Sequence, residues 1–214
     1  MIANVIGATG AVGRDLITQL AADESFTEVH LFVRREIPSP GEKFQIHVIN
    51  FDKPEEWKHL VTGDVLFSCL GTSKKQAGSK QAQWHVDHDY QIAFAKAAKE
   101  NGVPSFIIVS SIGAKKTSAA FYLKMKGQID EEVTKMAFPR AFILRPPSLI
   151  RHPAKRFTET LSVKVLQFFN KLRMFRRFRP MPTMDVARAM IHFAKNQARR
   201  GTIIVNDQEI LTAK

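Results

Sequence analysis

Cysteine, acidic residues and long apolar runs are all scarce in this chain, and each shortage excludes something. The single cysteine, Cys69, rules out an intramolecular disulfide framework, and its setting in the run VLFSCL suggests a buried thiol in a reducing compartment. A cytoplasmic location is the resulting expectation, because MIANVIGATG also lacks the basic, apolar and small-residue regions of a secretory signal. No apolar run reaches the ~18 to 20 residues that a membrane-spanning helix needs. Acidic residues number 20 against 32 basic ones, a formal charge of +12 over 214 residues. The surplus is concentrated between residues 151 and 179, where nine Lys or Arg face Glu159 alone. Such a block steers anionic ligands or suits a membrane surface or a protein partner. No nucleic-acid-binding motif accompanies it, so no specific nucleic acid is expected.

What the chain does have is alternation. The apolar runs IANVI, EVHLFV, QIHVI, VLFSC, SFIIVS, RAFIL and TIIV read as strands buried on both faces. Helical patterns lie over 12–20, 54–60, 81–101, 119–136, 157–177 and 184–196. Strands and helices in this order predict an α/β fold with a three-layer, doubly wound parallel sheet. Apart from the loop at 71–80 the gaps are short, so 1–214 reads as a single domain with a small substrate or lid portion around 151–182. Within it, Leu161, Val165, Phe168, Leu172 and Phe175 have helical spacing. They fit a helix covering the active-site side, or alternatively a membrane-surface or partner-binding face.

In open parallel sheets, ligands lie beyond the carboxyl ends of the strands, so the loops there carry the motifs. The first is GATGAVG, in which Gly7, Gly10 and Gly13, with Ala8, Thr9, Ala11 and Val12 between and beside them, join a strand to a helix. Glycines let the backbone turn and approach a pyrophosphate, which meets free N–H groups and the roughly +0.5 charge of the helix N-terminus. The second strand ends in Arg34 and Arg35, where an acidic residue would take a ribose 2′-hydroxyl. Two arginines suit a 2′-phosphate instead, favouring NADP(H) over NAD(H). Asp52, after the third strand, either contacts adenine or pairs with Glu55 as a capping box. Gly71 and Thr72, following Leu70, let the backbone pass close to a cofactor.

The fifth strand delivers Ser110 and Ser111, and FYLKMKG then places Tyr122 and Lys126 at i and i+4 on one helix face. An ammonium nearby is expected to lower a phenol's pKa from its usual ~10, making it a better acid or base at neutral pH. His85 and His88, with Asp87 between them, have a spacing compatible with metal. No further ligands gather, so a polar helix face is expected and no metal.

Together GATGAVG, the paired arginines, CLGT, VSSIGA, FYLKMKG and RPPSLI resemble the short-chain dehydrogenase/reductase superfamily. SCLGTSKKQAGSK and VDHDY narrow the resemblance to the atypical subgroup of the oxidoreductase-like Tat-interacting protein and its bacterial NAD(P)H-binding relatives. The resemblance covers nearly the whole chain and implies a Rossmann fold. It implies Tyr122 as acid/base, Lys126 as its partner and holder of the nicotinamide ribose, and a serine orienting the substrate, with Ser110 preferred on spacing and Ser111 kept open. It also implies that Pro146, in the Arg145–Pro147 turn, lies beside the nicotinamide, and that Arg156 adds a cofactor contact. The expected function is NADPH-dependent reduction of a small carbonyl compound. The alternative is an NAD(P)H-binding regulatory or scaffold protein. Pro147 replaces a common glycine and the lobe after residue 150 is short, which argues against nucleotide-sugar epimerisation.

Overall fold

The computed structural model describes residues 1–150 and 180–213. Seven parallel strands form one sheet: β1 (Ile2–Ile6), β2 (Glu28–Val33), β3 (Phe44–Val48), β4 (Val65–Ser68), β5 (Ser105–Val109), β6 (Arg140–Leu144) and β9 (Gly201–Val205), in the order β3-β2-β1-β4-β5-β6-β9. All seven coincide with the apolar runs. The inner strands are mostly apolar because both faces are covered, with Asn4, Ser68 and Ser105 as buried polar exceptions. Alternation within them decides the side: Val5, Phe67, Ile107 and Phe142 enter one core, while Ile6, Leu66, Ile108 and Ile143 enter the other.

The first core is closed by α1 (Ala11–Ala22), through Leu16 and Leu20, and by α7 (Thr183–Lys195), through Val186 and Met190. The second is closed by α5 (Tyr90–Glu100) and α6 (Phe121–Lys135), through Phe94, Met125 and Ile129, with Trp57 of α2 (Pro54–Trp57) stacked on Phe94 at 4.0 Å. Each of these large side chains contributes roughly 1.5–3 kcal/mol on burial. Strand order reverses between β1 and β4, and that switch point opens a crevice at the carboxyl edge.

Three local features depart from expectation. The loop at 71–80 contains a short helix, α3 (Lys74–Ala77), closed by a Ser73–Gln76 capping box. The helix expected over 81–101 is α4 (Lys80–Trp84) and α5 joined by a π-turn, His85–Asp89, whose extra residue per turn carries Asp87 and His88 inward. A final helix, α8 (Asp207–Thr212), is capped by Asn206 and Glu209. Two-residue strands β7 (Leu149–Ile150) and β8 (Met181–Pro182) pair in parallel. The helix expected over 157–177, most of the lid portion, the basic block and Arg156 lie outside the described residues.

Candidate active site

Contact within the turn after β1 leaves no room for side chains. A Cβ on Gly7, whose φ is +79°, would stand 2.4 Å from the Cys69 carbonyl carbon, and one on Gly13 would stand 2.1 Å from the Gly7 oxygen. Glycine at both positions lets β1 and β4 close together under the turn. Gly10 then begins α1 without any side-chain cap, leaving the first-turn N–H groups turned to the crevice.

Two adjoining hollows occupy that crevice and share Leu70. The outer one, about 440 Å³, is lined by Gly7, Ala8, Thr9, Arg14, Arg34 and Arg35 among others. The inner one, about 460 Å³, brings Gly10, Ala11, Val12, Gly71 and Thr72 together with Ser110, Ser111, Tyr122, Lys126 and Pro146. A larger hollow of about 570 Å³ lies between α1 and α7, among Asp23, Arg188 and Lys195, away from the strand ends. The two crevice hollows therefore hold the residues singled out by sequence, with three exceptions. Gly13 packs beneath the turn, Arg156 is outside the described residues, and Asp52 lines neither hollow.

Asp52 is also not a helix cap. Lys53 occupies the cap position of α2 without a side-chain capping hydrogen bond, so the capping-box alternative is not formed. Instead Asp52 Oδ1 meets His85 Nε2 at 2.6 Å and accepts from the Tyr90 hydroxyl at 2.9 Å, which lowers its pKa. His85 and His88 are engaged by carboxylates: Asp52 and Asp89 for the first, Asp89 and Glu132 for the second.

The inner hollow has a charged floor. Lys126 is 2% exposed and its Nζ donates to the Val109 carbonyl at 2.9 Å. Burial lowers its pKa, opposed by the charges of Asp87 and Asp130. Asp87 is fully buried, and its Oδ1 accepts from the Thr72 N–H at 2.7 Å. Asp130 is held by Arg145, at 3.0 Å from Nε and 2.9 Å from the guanidinium end. Burial raises the pKa of both carboxylates.

Tyr122 keeps 41% exposure over the whole residue, but its hydroxyl end sits in this crowded setting. Its pKa is pushed up to about 12, first by burial, then by Asp87 and Asp130, with the Ser111 hydroxyl opposing. This corrects the expectation that Lys126 would lower it: burial of the phenol, with the charges of Asp87 and Asp130 behind it, favours the protonated form. The serines divide likewise. Ser111 stands beside the phenol, whereas Ser110 Oγ is buried facing Asp130 without closing a hydrogen bond of standard geometry. Gly127 sets this arrangement, since a Cβ there would lie 2.2 Å from the Lys115 carbonyl carbon, so α6 rests directly on the loop that follows β5.

Asp130 was not singled out by sequence, although Tyr122, Lys126 and Asp130 repeat at i, i+4 and i+8 on one helix face, a signal that was available. Cys69 lies at the hollow's edge, partly exposed as a residue but with its thiol buried as expected; the sulfur is 3.7 Å from Met190 Sδ, and burial pushes its pKa up to about 12.

Comparison with known proteins places the chain among relatives. Protein FMP52, mitochondrial, of Eremothecium gossypii is 35% identical over 99% of this chain and 96% of its own length. The protein of the same name from Saccharomyces cerevisiae is 31% identical over 97% and 94%. A solved structure of a putative NAD-dependent epimerase/dehydratase from Bacillus halodurans is 21% identical, with a TM-score of 0.71 over 99% of this chain and 97% of that one. MoeE5 in complex with UDP-glucose and NAD matches at a TM-score of 0.66 and 16% identity, over 98% and 79%. These two structural likenesses speak for the fold alone. The relatives are named as mitochondrial proteins, which overturns the cytoplasmic expectation. A family model described as NAD(P)H-binding matches residues 7–197, and the chain belongs to that NAD(P)H-binding family.

Proposed function

We propose that this chain is an NADPH-preferring oxidoreductase of the atypical short-chain dehydrogenase/reductase type, which reduces a small carbonyl substrate with Tyr122 as proton donor. The observation that carries the reading is a single hollow lined by the N-terminus of α1, Ser111, Tyr122 and Lys126. The residues present fit a dinucleotide: a glycine turn no side chain could occupy, uncapped N–H groups, and Arg34 and Arg35 at the far end. In this reading Gly7 to Gly13 receive the pyrophosphate, Leu70 to Thr72 and Pro146 flank the cofactor, Lys126 holds the nicotinamide ribose, and the arginines receive the 2′-phosphate.

A reduced nicotinamide, when bound there, supplies a hydride to the carbonyl carbon. Tyr122 gives its proton to the carbonyl oxygen, completing the alcohol, and regains a proton from solvent. A phenol with a pKa of about 12 is fully protonated at neutral pH, which suits donation to a developing alkoxide more than proton abstraction. Ser111 orients the carbonyl through its hydroxyl. The mitochondrial names of the fungal relatives support a mitochondrial location for this chain too, and fractionation of cells expressing a tagged copy checks it.

Tyr122→Phe tests the chemistry. NADPH affinity should stay within about twofold while turnover of small aldehydes and ketones falls by ~10² to 10⁴. Undiminished turnover would remove Tyr122 from the mechanism. A parent protein that binds NADPH but oxidises it with no carbonyl compound would leave a regulatory role instead.

A further inference from the structure

A third arginine lines the outer hollow beside the pair singled out by sequence. Arg34 and Arg35 reach it from the end of β2, and Arg14 reaches it from the first turn of α1, directly after the glycine turn. None of the three is ion-paired among the described residues, whereas Arg145, Arg188 and Arg199 hold Asp130, Asp185 and Glu209. Among the described residues Glu36 is the one acid lining the same hollow. A surplus of guanidinium charge in a concave site draws an anion. Arg14 is also held in place. Its N–H donates to the Gly10 carbonyl at 3.0 Å, and its carbonyl accepts from the Thr18 hydroxyl at 3.0 Å. Its Nε donates to the Thr9 carbonyl at 3.0 Å, which draws the side chain back to the turn and leaves the two terminal nitrogens without a hydrogen-bond partner among the described residues. A tether of this kind removes in advance part of the side-chain freedom that binding would otherwise take away.

The two hollows separate the anions that α1 can meet. Gly10, Ala11 and Val12 line the inner one, where the uncapped N–H groups suit a pyrophosphate, while Arg14 lines the outer one together with the β2-end arginines. We propose that Arg14 is a specificity-determining residue for the cofactor: its guanidinium takes the 2′-phosphate from the α1 side while Arg34 and Arg35 take it from the β2 side. This rests on the reading of the crevice as an NADPH site and adds a residue to it. A phosphate presents several charged oxygens to planar guanidinium forks, and its charge relieves the repulsion among three neighbouring cations. A ribose 2′-hydroxyl does neither. Arg14 therefore acts on the choice between the two dinucleotides and little on nucleotide affinity at large. The competing role is a brace, in which Arg14 only steadies the glycine turn through the Thr9 carbonyl. A brace would serve NADPH and NADH alike.

Equilibrium binding of NADPH and of NADH to the full chain, read by nicotinamide fluorescence, separates the two roles. Arg14→Ala should weaken NADPH by about tenfold and move NADH by less than about twofold. Arg14→Gln removes the charge but retains an amide donor for the Thr9 carbonyl, and should lose NADPH to the same extent. Arg14→Lys keeps a charge without the fork and should fall between the parent and the other two. Added salt should weaken NADPH less in Arg14→Ala and Arg14→Gln than in the parent, since one exposed charge contact is gone. Parallel losses of NADPH and NADH in Arg14→Gln would mark a brace and overturn the proposal, as would an NADPH affinity that neither Arg14→Ala nor Arg14→Gln moves. Should Arg14→Ala not fold, Arg14→Gln decides by the same comparison. A parent that binds NADPH no better than NADH removes the NADPH reading and the role of Arg14 with it. A parent whose preference for NADPH is lost in the double variant Arg34→Ala/Arg35→Ala but kept in Arg14→Gln removes the role of Arg14 alone.

Discussion

The outer and inner hollows lie side by side along the same edge of the sheet, yet they handle charge in opposite ways. Arg34 and Arg35 in the outer hollow are exposed. Their field is screened beyond the ~8 Å Debye length of physiological salt, so they act on what they touch. Beneath the inner hollow Lys126, Asp87 and Asp130 are buried, and the charges of the lysine and of the two carboxylates act on one another. Positive residues at one end face solvent; at the other they are one term in a balance. Counting arginines and lysines along the sequence makes the two regions look alike, and burial separates them.

That contrast is broken most forcefully at the floor. Lys126→Met takes from the buried Asp87 its counter-charge while Asp130 keeps Arg145, and should cost about 3–5 kcal/mol, lowering the Tm by roughly 10 °C in calorimetry. An unchanged Tm would mean the cluster is not the balanced unit described here. Next comes Gly127→Ala. Its Cβ has no space beside Lys115, so a loss of about 1–3 kcal/mol is expected, with turnover more affected than NADPH binding. Equal losses in both would show that α6 shapes the whole crevice and not only its inner half.

The outer hollow should respond in affinity and leave stability almost untouched. Arg34→Ala combined with Arg35→Ala should weaken NADPH by roughly 1.5–3 kcal/mol, about tenfold or more, while NADH changes little, as titration calorimetry would read. Raising salt should reproduce part of that loss without moving the Tyr122 titration. A salt-sensitive phenol would erase the distinction between the two regions.

The smallest effect is expected at His85 and Asp52, near the outer rim. His85 is raised from its ordinary 6.5 by Asp89 and Asp52, so its contribution is complete below about pH 6.5 and lost as pH rises through the higher folded value. Asp52 is lowered from 3.8, so its contribution is complete above about pH 4 and lost as pH falls through the lower folded value. The pair is therefore at full strength between those limits. An NMR titration of the His85 ring should give a value above the ordinary one, moving back toward it in Asp52→Asn.

Much of this was legible in the sequence, and the exceptions have physical causes. Buried parallel strands announce themselves as continuous apolar runs, which is why all seven strands of the large sheet could be read and the two-residue β7 and β8 could not. The glycine turn, the paired arginines and the Tyr122–Lys126 spacing are local patterns, and the fold delivers each to the same crevice. The short helices α3 and α8 were missed because four to six residues carry too little periodicity. The π-turn was missed because its inward rotation of Asp87 leaves no mark on the apolar pattern. The direction of the Tyr122 shift differs from expectation because its largest cause, burial of the phenol, and the approach of Asp87 from the π-turn exist only in the folded molecule. Cellular location was inferred from one cysteine and a missing signal, neither of which bears on mitochondrial residence.

The position of β9 has a consequence for biogenesis. It is the last described strand to be synthesised, and it pairs along β6 from Arg140 to Leu144. Until it arrives, β6 presents an open row of backbone donors and acceptors flanked by Ala141 and Ile143, a template for joining the wrong chain. Nascent copies halted before residue 201 should therefore be the aggregation-prone, chaperone-dependent species, and completion of the final strand the step that releases them.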